Sequence, residues 1–209
     1  MAELRVYLQI ADLRRQFAAY MATPVRARGY VPLEGMHSLI VEIAPALAIH
    51  RVIDLALKSV PDVEPGILFV ERQFGILELH ARDLDEVERA GTAILEGIGA
   101  SAEDQLKPRL LFSDLVEDVS DYHAVILNRN RDASMILPGE SLLLMEMTPA
   151  LFAAAAANEA EKVAPGNTLV DVQMIGASGR VLISGEAGSI ATARERVVEM
   201  LEAVPGRNH

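Results

Sequence analysis

LEGMHSLIVEIAPAL, Leu33 to Leu47, returns in the same chain as LPGESLLLMEMTPAL, Leu137 to Leu151. Sliding the sequence against itself by 104 residues puts Gly35 on Gly139, Glu42 on Glu146, Pro45 on Pro149 and Leu47 on Leu151. The same shift sets Arg5 on Arg109 and Lys58 on Lys162. Ordered matches at one offset mark a tandem repeat, so the 209 residues read as copies at 1–104 and 105–209, meeting near Gly99 to Lys107. Each copy is long enough to bury a core of its own.

Each copy carries the same periodicities. Val6 to Gln9 is a short strand, and Asp12 to Thr23 spaces Leu13, Phe17, Tyr20 and Met21 as a helix that Pro24 stops. Arg109 to Phe112 and Asp114 to Leu127 repeat the pair. Ser38 to Ile43 and Leu142 to Met147 are strands, each leading to a proline at the first position of a helix, where a missing N–H costs nothing. These helices run to about Lys58 and Lys162, and Ala153 to Ala157 fit a helix that lies close against its neighbour. Hairpins follow at Ile67 to Leu79 and Thr168 to Ile183, then helices capped by Asp83, with Glu86 in a capping box, and by Ser189. The order β, α, β, α, ββ, α predicts an α+β unit with its helices on one side.

The first hairpin, PGILFVERQFGILELH from Pro65 to His80, has two apolar arms and a charged connection, Glu71-Arg72-Gln73-Phe74, closed by Gly75. Aligning Pro65-Gly66 with Pro165-Gly166 and Gln73 with Gln173 needs an offset of 100, which returns to 104 after the turn. The second copy is therefore read as four residues shorter before its hairpin and about four longer at its tip, QMIGASG against QFG.

Composition sets limits on function. A formal charge of −11, with no basic stripe carrying interleaved aromatics, argues against nucleic acid and anionic membranes as partners. Without cysteine there is no disulfide framework or thiolate chemistry. His37, His50, His80, His123 and His209 lack metal-ligand spacing and read as packed or solvated imidazoles. The start MAELRVYLQIADLRR has no secretion-signal pattern, and Leu142 to Ala157 is broken by Glu146, Thr148 and Pro149 before it reaches membrane-spanning length. GASG and GEAG lack the spacing of a nucleotide loop. Glu42 and Glu146 read as structural carboxylates in separate domains. Neither a catalytic constellation nor a metal or cofactor is expected.

SLLLMEMTPALFAAAAANEAEKVAPGNTLVDVQMIGASGRVLISGEAGSIATARERV, from Ser141 to Val197, resembles the bacterial microcompartment shell domain. The strand–helix unit ahead of this core in both copies resembles the circularly permuted, tandem form of that domain. VERQFG, Val70 to Gly75, is similar to the pore motif of the tandem shell proteins with gated pores, the carboxysomal ones included. The resemblance implies two permuted, ferredoxin-like shell domains, three chains closing into a pseudohexamer, and trimers stacking in pairs. It implies a cytoplasmic shell tile whose central pore passes small metabolites, beside other hexameric and pentameric shell proteins.

The resemblance also assigns residues. Glu71, Arg72, Gln73 and Phe74 become the pore and gate, and Gly176, Ala177, Ser178 and Gly179 the second pore loop. Three guanidinium groups about 6 Å apart repel by roughly 1–3 kcal/mol per pair, which neighbouring carboxylates can offset, so paired and swung-back states come within reach of each other. Lys58 and Lys162 become tile-edge contacts. From the residues alone, a small-ligand sensor built of two ferredoxin-like domains is the competing function, and a trimeric enzyme a weaker third.

Overall fold

The computed structural model describes residues 2–23, 29–131 and 133–208; the helix stop expected at Pro24, and His209, lie outside them. The chain forms two compact units, one holding the residues up to Lys107 and again from Pro205, the other Pro108–Val204. The first contains β1 (Glu3–Ile10), α1 (Arg15–Met21), β2 (His37–Ala44), α2 (Ile49–Ser59), β3 (Glu64–Glu71), β4 (Phe74–Ala81) and α3 (Leu84–Ile98). The second repeats the order with β5 (Arg109–Val116), α4 (Asp121–Asn130), β6 (Ser141–Thr148), α5 (Phe152–Val163), β7 (Thr168–Gln173), β8 (Gly179–Gly185) and α6 (Ala187–Ala203). Both sheets are antiparallel, in the orders β1-β2-β4-β3 and β5-β6-β8-β7.

Strand registers correct the internal alignment in two places. Pro65 pairs with Leu79 and Leu169 with Ile183, while Phe69 pairs with Ile76 and Gln173 with Arg180. The offset therefore stays at 104 throughout the hairpin, and the second copy is neither shorter before it nor longer at its tip. Pro165 is the counterpart of Pro61. The helix-end bonds Val60 N to Ala56 O and Ala164 N to Ala160 O, likewise 104 residues apart, fix that equivalence. The repeated Pro-Gly dipeptide is a coincidence of sequence.

In the first strands the offset is 106. Leu4 pairs with Ile43 and Leu110 with Met147, each next to a bulge, and Asp12 and Asp118 take the same left-handed turn, φ 60° and 50°. Arg5 thus corresponds to Leu111 rather than Arg109. A slip of two residues keeps the same faces inward, so apolar alternation alone does not reveal it. Asp114 lies in β5, and α4 starts at Asp121, seven residues later than expected: Asp12 corresponds to Asp118, and each helix begins three residues after that turn, at Arg15 and Asp121.

Leu39, Val41, Ile43, Leu77, Leu79 and Ala81 point to one face of the first sheet and pack against Ile49, Val52 and Ala56 of α2 and Val87, Ala90 and Ile94 of α3. The other face is also covered, contrary to the one-sided expectation. In the second unit Ala124 and Leu127 of α4 pack on Leu142, Leu144 and Leu182. The alanines of α5 do allow close approach: Ala153 Cβ comes within 2.9 Å of where a Cβ on Gly179 would sit.

Helix starts also differ. Pro45 is extended (ψ 156°) ahead of a 3-10 turn at Ala46–Ala48, so α2 begins four residues after the proline. Asp83 caps α3 as expected, accepting from Asp85 N at 3.0 Å. The cap of α6 is Glu186, whose carboxylate takes the N–H groups of Gly188 and Ser189; Ser189 lies inside the helix.

Candidate functional site

The expected connection Glu71–Phe74 is tighter than its sequence suggests. Glu71 and Phe74 still pair as strand residues, leaving Arg72 and Gln73 as a two-residue turn. Arg72 takes a left-handed φ of 49° and is 92% exposed, with its Nε 3.8 Å from Glu71 Oε1. Gln73 is exposed, and an open cleft beside it is lined by Glu3, residues 44–47 and Arg72.

Phe74 is half-buried for a specific reason. The Arg5 guanidinium lies over its ring, 3.7 Å from the centroid, and Arg5 Nε donates to Glu42 Oε1 at 2.9 Å. Burial raises the Glu42 carboxyl above its ordinary pKa, and the hydrogen bond and charge of Arg5 pull it partly back. Glu42 on β2, Arg5 at the β1 bulge and Phe74 on β4 thus tie the hairpin tip to the sheet. Gly75 follows because a Cβ there would stand 2.3 Å from Ala46 O.

In the second unit the tip is Met174–Gly179, the counterpart of Val70–Gly75. Gly176 takes the place of Arg72, with φ 137°, and Ser178 the place of Phe74. Ser178 Oγ donates to Glu146 Oε1, and Arg180 Nε donates to the same oxygen at 3.3 Å. The Ser178 bond, helped by Arg180 against the opposing pull of burial, holds the Glu146 carboxyl below its ordinary value. Arg180 Nη1 also reaches Gln173 Oε1 at 3.4 Å. A Cβ on Gly179 would meet Ala150 O at 2.1 Å, the same collision as at Gly75.

Both glutamates anchor a tip and each is paired with an arginine: Glu42 acts through Arg5 of the first strand, which covers Phe74, whereas Glu146 takes Ser178 of the tip directly, with Arg180 of the last strand beside it. The glutamates are legible in the sequence as structural carboxylates; their arginines are not. Setting Arg5 on Arg109 hid the difference, whereas the two-residue register would have placed Leu111 opposite it. The lysines lie elsewhere, in the last turns of α2 and α5. Lys58 Nζ is 2.6 Å from Asp54 Oδ2 and Lys162 is exposed. His80 is fully buried, with Nδ1 3.2 Å from Glu78 Oε2, and Ser38 Oγ donates to Glu78 Oε1 at 2.6 Å.

Comparison with known proteins places these two units. Residues 4–104 match the family described as the CsoS1D N-terminal domain. The chain is 41% identical to the carboxysome shell protein CcmP of Synechococcus elongatus, over 99% of this chain and 95% of that protein. It is 39% identical to the carboxysome shell protein CsoS1D of Hydrogenovibrio crunogenus, over the full length of both. Among solved structures, a double ringed trimeric shell protein from the RMM microcompartment is 64% identical over the whole of both chains, with TM-score 0.96. A fused permuted hexameric shell protein from the same microcompartment is 39% identical, covers 99% of this chain and 100% of that one, and has TM-score 0.93. With two α+β units in tandem and relatives matched end to end, the chain belongs to the tandem-domain shell proteins of bacterial microcompartments, the family of CcmP and CsoS1D.

Proposed function

We propose that three copies of the chain close into a ring of six units, a shell tile with a metabolite pore at its centre, and that two such rings stack. The observation that carries this reading is the matched pair of hairpin tips, Val70–Gly75 and Met174–Gly179, held in one register by equivalent glutamates and equivalent glycines. Equivalent tips in tandem units are what a threefold ring needs to bring six loops to one axis. The 64% identical relative is a double ringed trimer, which supports both the ring and the stack.

In this reading the tips alternate around the pore: Glu71, Arg72 and Gln73 from one unit, then Gly176, Ala177, Ser178 and Gly179 from the other. Phe74 supports its tip by packing. Small residues in the second tip leave room and offer backbone N–H groups to a passing solute. The charged tip supplies the gate, because Arg72 is solvated and tethered to Glu71 by a long, exposed contact that costs little to break. Lys58 and Lys162 serve lateral contacts with neighbouring tiles in the shell of a cytoplasmic microcompartment, where other hexameric and pentameric shell proteins complete the wall.

Electron microscopy of the purified chain tests the tile, with three-lobed rings, singly or in stacked pairs, as the expected particles. Compact dimers would overturn it. Glu71→Ala and Arg72→Ala test the gate by solute permeation through assembled shells. Permeation and aperture unchanged from wild type would remove the gate while leaving the tile standing.

A further inference from the structure

Helix α4 turns an apolar stripe outward. Tyr122, Val125 and Ile126 are 85%, 48% and 58% exposed, and their spacing puts them on one helix face that Arg129 continues. The inward side is already committed: Ala124 and Leu127 pack on the sheet, and Asn128 exchanges two hydrogen bonds with the backbone of Ile136, at 2.8 and 3.0 Å. Single exposed apolar residues are ordinary, whereas a contiguous stripe marks a contact surface.

The equivalent helix of the first unit has no such stripe. The offset of 106 equates Tyr122, Val125 and Ile126 with Gln16, Ala19 and Tyr20, and Tyr20 is buried. Contacts between neighbours around a ring of six similar units recur in matching form from unit to unit, which favours the same residue character in both repeats. A face-on contact between two threefold rings is free to use one unit type only.

We propose that the Tyr122–Val125–Ile126 stripe is where two rings meet, α4 of one packing antiparallel on α4 of the other across a twofold axis. This rests on the reading of the chain as a stacked trimer. A twofold contact has to complement itself, and this stripe does. Antiparallel pairing sets Val125 against Ile126 of the second copy and the Tyr122 ring beside its Arg129 guanidinium, a cation–π arrangement. It also brings the first-turn acid Asp121 toward the last-turn base Arg129. In a chain of net charge −11, a contact whose one carboxylate, Asp121, lies near Arg129 of the second copy adds little repulsion between copies.

The chain has no cysteine, so a single introduced one reports proximity without background. Ile126→Cys, treated with a short bismaleimide as the intact assembly, is expected to give covalent two-chain products, and Glu88→Cys on the exposed side of α3 none. Val125→Lys with Ile126→Lys is expected to convert six-chain particles to three-chain particles in native mass spectrometry, raising the ring–ring dissociation constant by about tenfold or more.

If wild type is a three-chain particle at every concentration, the stacked-ring reading fails and this proposal with it. If wild type is six-chain but the lysine variant stays six-chain, or Ile126→Cys does not cross-link, only the α4 assignment falls. A lysine variant that drops to single chains places α4 inside the ring and also overturns it. Should the lysine variant aggregate, the cross-link alone decides, for or against.

Discussion

Arg72 and Gly176 stand at the same place in their hairpins, 104 residues apart, and both take a positive φ, 49° and 137°. Glycine does so freely, whereas a residue with a Cβ in the left-handed region gives up about 1 kcal/mol. The first unit keeps a charged side chain there despite that cost, and the second does not. The expectation is that Arg72→Gly raises the unfolding free energy by up to about 1 kcal/mol, while Arg72→Ala, with the same backbone strain, stays within about 0.5 kcal/mol of wild type. Urea denaturation of the two variants checks this, and a loss of stability in Arg72→Gly would show that the side chain holds the turn.

Arg5 reaches the tip from the opposite edge of the sheet. Removing it strips Glu42, whose side chain is 4% exposed, of its partner, and removes the cover from Phe74. Leaving a buried carboxylate unpaired costs about 3 kcal/mol, so Arg5→Ala should be among the most damaging changes near the tip. Replacing both partners with leucine should recover most of that loss. A double-mutant cycle in denaturant measures it, and additive losses would mean that the two residues act separately.

Glu42 and Glu146 occupy equivalent positions and shift in opposite directions. Glu42, raised mainly by burial, favours folding below its unfolded pKa and loses that contribution as pH rises through its folded pKa, above the ordinary carboxylate value. Glu146, lowered mainly by Ser178, contributes above its unfolded pKa and loses that contribution as pH falls through its folded pKa, below the ordinary value. On acidification Glu42 should therefore take up its proton first, and Glu146→Gln should lessen the loss of stability in acid. Carboxyl carbon NMR titration reads the order, and Glu146 protonating before Glu42 would contradict it.

Lys58 and Lys162 carry little of the fold, since an exposed pair such as Lys58–Asp54 contributes less than about 1 kcal/mol. Changing both to alanine should leave the trimeric rings, their pairing and their melting temperature unchanged while abolishing extended sheets in micrographs. Break-up of the particles themselves would move the lysines from the tile edge to the subunit interface.

Much of this was legible in the residues. The recurrence of Gly35, Glu42 and Pro45 exposed the repeat, and the apolar periods gave the order of strands and helices in both units. Registers were harder. A two-residue slip in β1 against β5 preserves every inward face, so an accidental arginine match outweighed the true pairing, and a recurring Pro-Gly dipeptide suggested an indel that the ladders do not contain. What touches the tip depends on those registers: Arg5 meets Phe74 across β2, and Arg180 lies opposite Glu146 on the adjacent strand. Helix starts fell short for a local reason, since Pro45 is followed by a 3-10 turn and α6 is capped by Glu186, a residue type outside the preferred Ser, Thr, Asp and Asn caps.

Whether the two tips share one pore is read from a cryo-electron microscopy reconstruction of the assembled particle. The expected map has a threefold axis ringed alternately by Glu71–Gln73 of one unit and Gly176–Gly179 of the other. A particle with these tips on its outer rim, away from the axis, would contradict it.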